Sequence, residues 1–143
     1  MVEGANVSVG RGTGTPFELF GAPWVRGREL ADYLNLRKIA GVEFLPAEFT
    51  PESSLYKGST CRGVRILLKD RDVLDSPLLG IEIVSALRRL FPQDFKIDET
   101  RDLIGSQQII EAIKAGEDPR AVALLWKAPL ERFLGLREKY LLY

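Results

Sequence analysis

A glycine-rich stretch at the start of the chain carries the densest set of groups able to bind a polar ligand. From Glu3 to Trp24 the sequence reads EGANVSVGRGTGTPFELFGAPW. Glycine allows a ligand to approach the backbone closely, and the guanidinium of Arg11 presents a planar fork of donors that suits a carboxylate. Further donors, acceptors and aromatic surfaces in this stretch are Glu3, Asn6, Thr13, Thr15, Phe17 and Trp24. Together these groups suit a sugar or another small polar ligand.

The same stretch also fits a purely structural turn. In that interpretation Arg11 pairs with Glu3 or Glu18, and Trp24 belongs to the hydrophobic core. Composition alone favours the structural turn and leaves the ligand site as the alternative. Tyr56, in the loop before the best-defined strand, could line a groove, although an exposed loop position is the simpler interpretation.

Two phosphate-binding motifs fail on spacing. A P-loop needs G-x-x-x-x-G-K-[ST] between a strand and a helix. After Gly10 no lysine stands at the required offset, and Pro16 occupies the place of a helix start. A dinucleotide fingerprint needs G-x-G-x-x-G at the start of a helix. Here Gly14 follows Gly10 and Gly12 one residue too early, so neither site is predicted.

The residue types that are missing restrict the chemistry. The chain has no histidine and a single cysteine, Cys61. This excludes Ser-His-Asp and Cys-His catalysis and an intrachain disulfide, and it argues against a zinc site. Catalysis by this chain would have to use carboxylates, tyrosines, lysines or the backbone. We expect no metal and no cofactor, and we expect Cys61 to be a small buried residue rather than a nucleophile.

Neither the charge balance nor the hydropathy of the chain indicates binding to nucleic acid or insertion into a membrane. Lys and Arg number 20, as do Asp and Glu, so the net charge is zero and nucleic acid is not an expected partner. A local basic cluster (Arg26, Arg28, Arg37 and Lys38) is predicted to be a solvated face. No apolar run approaches the roughly 20 residues of a membrane span, and no secretory signal pattern opens the chain. We therefore expect a soluble chain, with the compartment of its parent protein left open.

The periodicity of the remaining sequence predicts an α+β domain with helices on one face of a small antiparallel sheet and a helical C-terminal half. A helix is expected from GRELADYLN and the clearest strand at Cys61–Asp70. Val42–Thr50 is expected to be an edge strand or a strand with a bulge, because it contains Pro46. ANVSVG could form a short additional strand. Residues 1–24 form a glycine-rich segment and residues 25–143 the α+β body, with no second domain.

The helices of the C-terminal half have recognisable ends. Ser76 fits the N-cap of a helix with Pro77 at its first position, and Ser106 and Asp118 fit the N-caps of two later helices. Gly116 stands where a left-handed residue would end a helix. Pro129 is expected to kink or break the last helix, because it lacks a backbone donor. The apolar face is expected to resume after it with Leu130, Phe133 and Leu134.

Several blocks of the sequence resemble one bacterial family. EGANVSVGRGTGTPFELFGAPW resembles the block that opens the C-terminal half of the exo-β-N-acetylmuramidase (NamZ-like) family. FTPESSLYKGSTCRGVRI is similar to its middle block, and RRLFPQDF, RDLIGS and LREKYLLY are similar to its closing blocks. The resemblance covers essentially all 143 residues in order.

The resemblance implies a parent protein of two domains, in which a larger Rossmann-like N-terminal domain precedes a domain like this chain. The ligand cleft would lie between them. The implied activity is removal of a terminal β-linked N-acetylmuramic acid from peptidoglycan fragments in cell-wall breakdown and recycling. Without the N-terminal domain, this chain would lack half of the cleft and is expected to be inactive or nearly so.

The resemblance also implies roles for the glycine-rich segment. Arg11 would bind the lactyl carboxylate of N-acetylmuramic acid bidentately. Glycoside hydrolysis usually needs two carboxylates, of which Glu3 is a candidate, and the other member could lie on the absent domain. The expected substrate-binding residues are Glu3, Asn6, Arg11, Gly12, Thr13, Thr15, Phe17, Trp24 and Tyr56.

Three functions follow as hypotheses. The first is an accessory, substrate-binding domain of an exo-muramidase, whose partners are muramic acid-containing peptidoglycan fragments and a Rossmann-like domain in cis or in trans. The second is a non-catalytic interaction module that docks onto a separate Rossmann-like chain. The third is a stand-alone binding protein for a small acidic sugar.

Overall fold

The computed structural model describes residues 1–141, which form an α+β fold. The strands are β1 (Leu19–Ala22), β2 (Val42–Phe49) and β3 (Cys61–Leu68). The helices are α1 (Gly27–Leu36), α2 (Ser76–Leu90), α3 (Arg101–Ile104), α4 (Gln107–Lys114), α5 (Pro119–Leu124) and α6 (Lys127–Arg137). Short 3-10 turns cover Val2–Gly4, Ile97–Thr100 and Glu138–Tyr140. The fold class expected from the sequence is confirmed.

The three strands form an antiparallel sheet in the order β1-β3-β2. β2 pairs with β3 along its whole length, from Val42 opposite Leu68 to Phe49 opposite Cys61. The strand with the clearest alternation is therefore the central one. β2 lies at an edge, where Pro46 can be accommodated without a backbone donor, as its sequence predicts.

The core lies between one face of this sheet and the helices. Phe20, Phe44 and Val64 come from the three strands and are buried. α1 packs directly on β2 and β3, and α2 packs on α1, α4 and α5. Buried side chains that the helices add to this cluster include Leu30, Leu34, Ile81, Val84, Leu87, Ile110, Ile113 and Val122. Ala5 and Val7 of the N-terminal segment belong to the same cluster.

The N-terminal segment is packed against the body of the protein. Ala5, Val7 and Val9 are buried. Ser8 exchanges two backbone hydrogen bonds with Gly21, of 2.8 and 2.9 Å, and so extends the β1 edge of the sheet by one bridge. Gly10 then adopts a φ of 73°, which turns the chain away. The short strand suggested by ANVSVG is thus reduced to a single bridge.

Two of the three predicted helix caps are observed and the third is shifted. The side chains of Ser106 and Asp118 accept hydrogen bonds from the amides of Ile109 and Arg120 respectively. At α2, however, the capping side chain belongs to Asp75, which accepts from the amide of Leu78 at 2.9 Å. The predicted N-cap, Ser76, is the first helical residue. Asp75 is the cap because its carboxylate accepts the amide hydrogen bond and, being negatively charged, also interacts favourably with the positive end of the helix dipole.

The predicted break at Pro129 falls elsewhere. α5 ends at Leu124 and α6 begins at Lys127, so Pro129 lies in the first turn of α6. An amide in the first turn has no intrahelical acceptor, and a proline there costs the helix no hydrogen bond. None of the helices within residues 1–141 is both long and apolar enough to cross a membrane.

One member of the predicted solvated basic cluster is instead paired with a buried carboxylate. Arg37 donates from Nε and Nη2 to the two carboxylate oxygens of Glu82, at 2.8 and 2.9 Å, and contacts Asp118 at 2.9 Å. Glu82 is only 1% exposed. The hydrogen bond with Glu82 raises the pKa of Arg37. The prediction of a solvated face is therefore wrong for Arg37, although Arg26, Arg28 and Lys38 are exposed.

Candidate functional site

The glycine-rich segment forms a compact turn after its bridge to the sheet. The carbonyl of Gly10 accepts hydrogen bonds from the amide of Thr13 at 3.1 Å and from its hydroxyl at 2.7 Å. That hydroxyl in turn accepts from the amide of Thr15 at 3.2 Å. The turn closes where the amide of Phe17 donates to Val9 at 2.7 Å. The threonines thus hold the shape of the loop that carries Arg11 and Gly12.

Arg11 stands at the outer side of this turn and is held from two sides. Its Nε and Nη2 groups both donate to a single oxygen of Glu3, with Nε at 2.9 Å. Its guanidinium carbon lies 5.0 Å from the centre of the Phe17 ring, within range of a cation–π contact. The side chain of Arg11 is nevertheless 51% exposed. Of the two pairings considered from the sequence, Arg11 makes the one with Glu3, whereas Glu18 pairs with Arg65 at 3.1 Å.

Gly12 joins the turn to the loop between β2 and β3. Its carbonyl accepts from the amide of Glu52 at 2.9 Å. Gly12 has a φ of 77°, a conformation that favours glycine, and a Cβ atom at this position would collide with the backbone nitrogen of Ser53. Both the backbone conformation and the lack of space therefore require glycine here. Beside this contact lies a shallow depression of about 550 Å³ lined by Gly12, Thr13, Gly14, Glu52 and Ser53.

Three of the predicted site residues are joined to one another behind this turn. The indole of Trp24 donates to the hydroxyl of Tyr56 at 3.3 Å, and that hydroxyl donates to the backbone carbonyl of Asn6 at 3.0 Å. The Asn6 side chain donates to the carbonyl of Asp94 at 2.8 Å and accepts from the amide of Lys96 at 2.9 Å. These three side chains anchor the segment and the loop to the body.

Two aromatic members of the site have unusual backbone conformations. Phe17 has a φ of 68° and Tyr56 a φ of 62°. Bulky residues seldom adopt the left-handed region, and such strain persists only where the surroundings enforce it. For Tyr56 the surroundings are the hydrogen bonds to Trp24 and Asn6. For Phe17 they include the contact with Arg11, and its ring is 55% exposed.

The structure divides the nine predicted residues into two groups. Arg11, Gly12, Thr13, Thr15 and Phe17 belong to the outer turn, and Glu3 contacts that turn through Arg11; we call these six residues the rim. Asn6, Trp24 and Tyr56 lie beneath it as anchors. Both groups lie in one region of the molecule, because Gly12 and Asn6 each bond to the loop that contains Tyr56.

Sequence reasoning missed Glu52 and Ser53, which face Gly12 across the depression. From their loop the sequence analysis singles out only Tyr56. The available signal was the composition of PESSLYKGST, rich in hydroxyl groups and containing one carboxylate. By contrast, Cys61 is buried as predicted, and its burial raises the pKa of the thiol, so it is not an activated nucleophile.

Comparison with known families identifies the family of this chain. The family described as "Exo-beta-N-acetylmuramidase NamZ, C-terminal" matches residues 1–143. The chain belongs to this family. The resemblance drawn from the opening, middle and closing blocks is thereby confirmed.

Individual relatives agree with this assignment. The peptidoglycan beta-N-acetylmuramidase NamZ of Bacillus subtilis (strain 168) is 36% identical over 146 residues, covering 100% of this chain and 35% of that protein. A crystal structure of a DUF1343 family protein from Bacteroides fragilis NCTC 9343 has a TM-score of 0.81 at 27% identity, covering 96% of this chain and 38% of that chain.

A second DUF1343 family protein from the same organism has a TM-score of 0.61 at 24% identity, covering 99% of this chain and 37% of that chain. At that identity it supports the fold alone. The chain therefore spans little more than a third of the length of the relatives that it matches.

Proposed function

We propose that this chain is the substrate-binding, accessory domain of a peptidoglycan exo-β-N-acetylmuramidase, with residues 1–143 as one domain. The parent enzyme would remove a terminal β-linked N-acetylmuramic acid during cell-wall turnover. The observation that carries the proposal is the family match across the whole chain, supported by the identity to a protein named as a peptidoglycan β-N-acetylmuramidase.

The chemistry of Arg11 supports a muramic acid ligand. N-acetylmuramic acid carries a lactyl carboxylate, and an arginine binds a carboxylate through two parallel hydrogen bonds. Glu3 engages Nε and Nη2 through one oxygen, and a guanidinium has five N–H donors, so further donors remain for a ligand. Phe17 supports the guanidinium plane from one side. Arg11 is thus oriented before the ligand arrives, which reduces the entropy lost on binding.

The depression beside Gly12 supports a sugar ring in the same place. Its volume of about 550 Å³ lies in the range of small-molecule sites. Gly12 and Gly14 contribute no side chains, so the backbone there is accessible, and Thr13 and Ser53 add hydroxyl groups. The ligand would lie across the rim, with its carboxylate on Arg11 and its hydroxyl groups toward Ser53.

Hydrolysis needs a pair of carboxylates that flank the scissile bond. The rim contains Glu3, which is already engaged with Arg11, and Glu52 lines the depression beside the rim. We therefore assign at least one member of the catalytic pair to a Rossmann-like domain, which the family resemblance implies for the part of the parent protein outside the matched region. On this proposal the isolated chain binds the sugar and does not hydrolyse its linkage.

A second candidate function is a non-catalytic module that docks onto a separate Rossmann-like chain. It is favoured by the apolar side chains that α6 exposes to solvent. A module of this kind would leave the rim without a sugar ligand, and this difference separates the two candidates experimentally.

Titration of the ¹⁵N-labelled chain with N-acetylmuramic acid tests the first proposal. We expect the amide resonances of Arg11, Gly12 and Thr13 to shift. N-acetylglucosamine lacks the lactyl carboxylate and should produce much weaker shifts. Arg11→Lys keeps the charge but loses the planar fork, and should weaken binding about tenfold, equivalent to about 1.4 kcal/mol. Arg28→Lys, at an exposed position on α1, is the matched control.

Two results would count against the proposal. An unchanged rim at saturating muramic acid would favour the docking module instead. Hydrolysis of a muramic acid-terminated fragment by the isolated chain would contradict the assignment of a catalytic carboxylate to another domain.

A further inference from the structure

A cavity of about 370 Å³ lies among the helices α1, α2, α4 and α5. α1 contributes Tyr33 and Arg37 to its lining, and α2 contributes Ser85, Arg88 and Arg89. The rest of the lining comes from the end of α4 and the turn that leads into α5. Its lining within residues 1–141 shares no residue with the rim or with the depression beside Gly12. The volume is in the range of small-molecule sites, and we call this feature the interhelix cavity.

The lining of the interhelix cavity carries more positive than negative charge. Four cationic side chains and two carboxylates contribute to it. Arg37 and Asp118 lie 2.9 Å apart and neutralise each other, and Lys114 pairs with Asp98 at 2.7 Å. The other carboxylate of the lining, Glu117, is exposed. The positive charge that these pairs leave over therefore belongs to the two arginines of α2.

Arg88 and Arg89 bring guanidinium groups to the cavity that no carboxylate of the described chain engages. Within residues 1–141 neither arginine forms an ion pair. Arg88 donates from Nη1 to the carbonyl of Pro92 at 2.8 Å, which orients its side chain and leaves its other N–H groups for a ligand. Adjacent guanidinium groups repel each other, and an anion bound between them would remove that repulsion.

A hydroxyl group without a partner belongs to the same wall of the cavity. The Oγ atom of Ser85 is buried and makes no hydrogen bond within residues 1–141. Ser85, Arg88 and Arg89 are spaced i, i+3 and i+4 on α2 and therefore share one side of the helix. Buried polar atoms in folded proteins are nearly always paired. A ligand oxygen that accepts from Ser85 would supply the missing partner beside the two arginines.

We propose that the interhelix cavity binds a small polar molecule through a phosphate or carboxylate group. The planar fork of arginine suits both groups, because each presents two oxygens at a matching separation. Arg88 and Arg89 would hold the oxyanion, and the hydroxyl of Ser85 would donate to one of its oxygens. Glu117 would accept a hydrogen bond from a hydroxyl group of the same molecule. This site goes beyond the proposed function and does not rest on it.

Three sugars that differ in a single group test the site. Glucose 6-phosphate, glucuronate and glucose are each titrated into the ¹⁵N-labelled chain at constant ionic strength. We expect saturable shifts of the amide resonances of Ser85, Arg88 and Arg89 with a charged sugar and none with glucose, and the tighter of the two charged sugars identifies the preferred oxyanion. Shifts that do not saturate, or that are confined to the rim, would overturn the site. The outcome is independent of the rim, because the resonances followed belong to α2.

Substitutions separate a built site from general attraction by positive charge. Arg89→Gln should weaken binding of the charged sugar about tenfold, because it removes charge-assisted hydrogen bonds. Arg71→Gln makes the same change at an exposed position outside the cavity and should leave binding unchanged. Ser85→Ala removes a hydroxyl that the described fold does not use, so we expect binding to weaken about threefold with no loss of stability in urea. Equal weakening by Arg71→Gln and Arg89→Gln would overturn the proposal.

Discussion

At the scale of single residues, the pairing of Glu82 is the contact whose loss we expect to be most costly. Glu82 is almost fully buried, and its carboxylate accepts hydrogen bonds from Nε and Nη2 of Arg37. Breaking a buried pair leaves one charge without its partner in a poorly solvated place. Glu82→Gln should therefore lower the free energy of unfolding by about 3 kcal/mol, measured by urea denaturation.

The matched control is Glu48→Gln. Glu48 pairs with Arg62 at 3.2 Å, but both side chains are more than 60% exposed. Exposed pairs contribute roughly 0–1 kcal/mol. Similar losses in the two variants would show that burial of Glu82 is not what gives its pair its importance.

At the scale of an element, the start of α2 depends on its cap. Asp75 accepts a hydrogen bond from the amide of Leu78, whereas Ser76 is already helical. Loss of an N-cap side chain costs about 1 kcal/mol. We expect Asp75→Ala to lower the free energy of unfolding by that amount, and Ser76→Ala to change it by a few tenths at most. Thermal unfolding of the two variants side by side measures the difference, and a larger effect at Ser76 would contradict the observed cap.

At the scale of the whole molecule, the rim depends on anchors that are distant in sequence. The side chain of Asn6 bonds to the backbone of Asp94 and Lys96, and its carbonyl accepts from Tyr56. Asn6→Ala removes the first two bonds, each worth about 1 kcal/mol. We expect faster hydrogen exchange at the amide of Ser8, which bonds to Gly21, and weaker sugar binding.

The exposed Gln108 provides the control for this prediction, since Gln108→Ala removes an amide side chain of similar polarity from the surface. Exchange at Ser8 that responds equally to both substitutions would mean that Asn6 does not hold the segment in place.

Patterns of short range were predictable from the sequence. The alternation of β3, the proline that confines β2 to an edge, and the caps at Ser106 and Asp118 each involve residues only a few positions apart. Two of these short-range predictions were wrong by a few residues. The cap of α2 moved by one residue to Asp75, and Pro129 fell where a helix start tolerates it.

Contacts between distant parts of the chain were not predictable from such patterns. Arg37 belonged by composition to a basic cluster, and only the packing of α1 beside α2 brings it to Glu82. Likewise the sequence allowed Arg11 to pair with Glu3 or Glu18. The fold selects Glu3, because Glu18 is next to β1 and faces Arg65 on the neighbouring strand.

The sequence by itself determined the fold class, the order of the elements from α1 to α2 and, through its opening and closing blocks, the family, whereas β1 lies in the glycine-rich segment at residues where no strand was predicted. These properties depend on residue types and on spacings within one helix turn or one strand. Only the tertiary structure decided which predicted site residues form the rim and which anchor it, that Glu52 and Ser53 face Gly12, and that α6 stays uncovered. Those outcomes depend on where segments far apart in the chain meet, and on how much apolar surface the core leaves over.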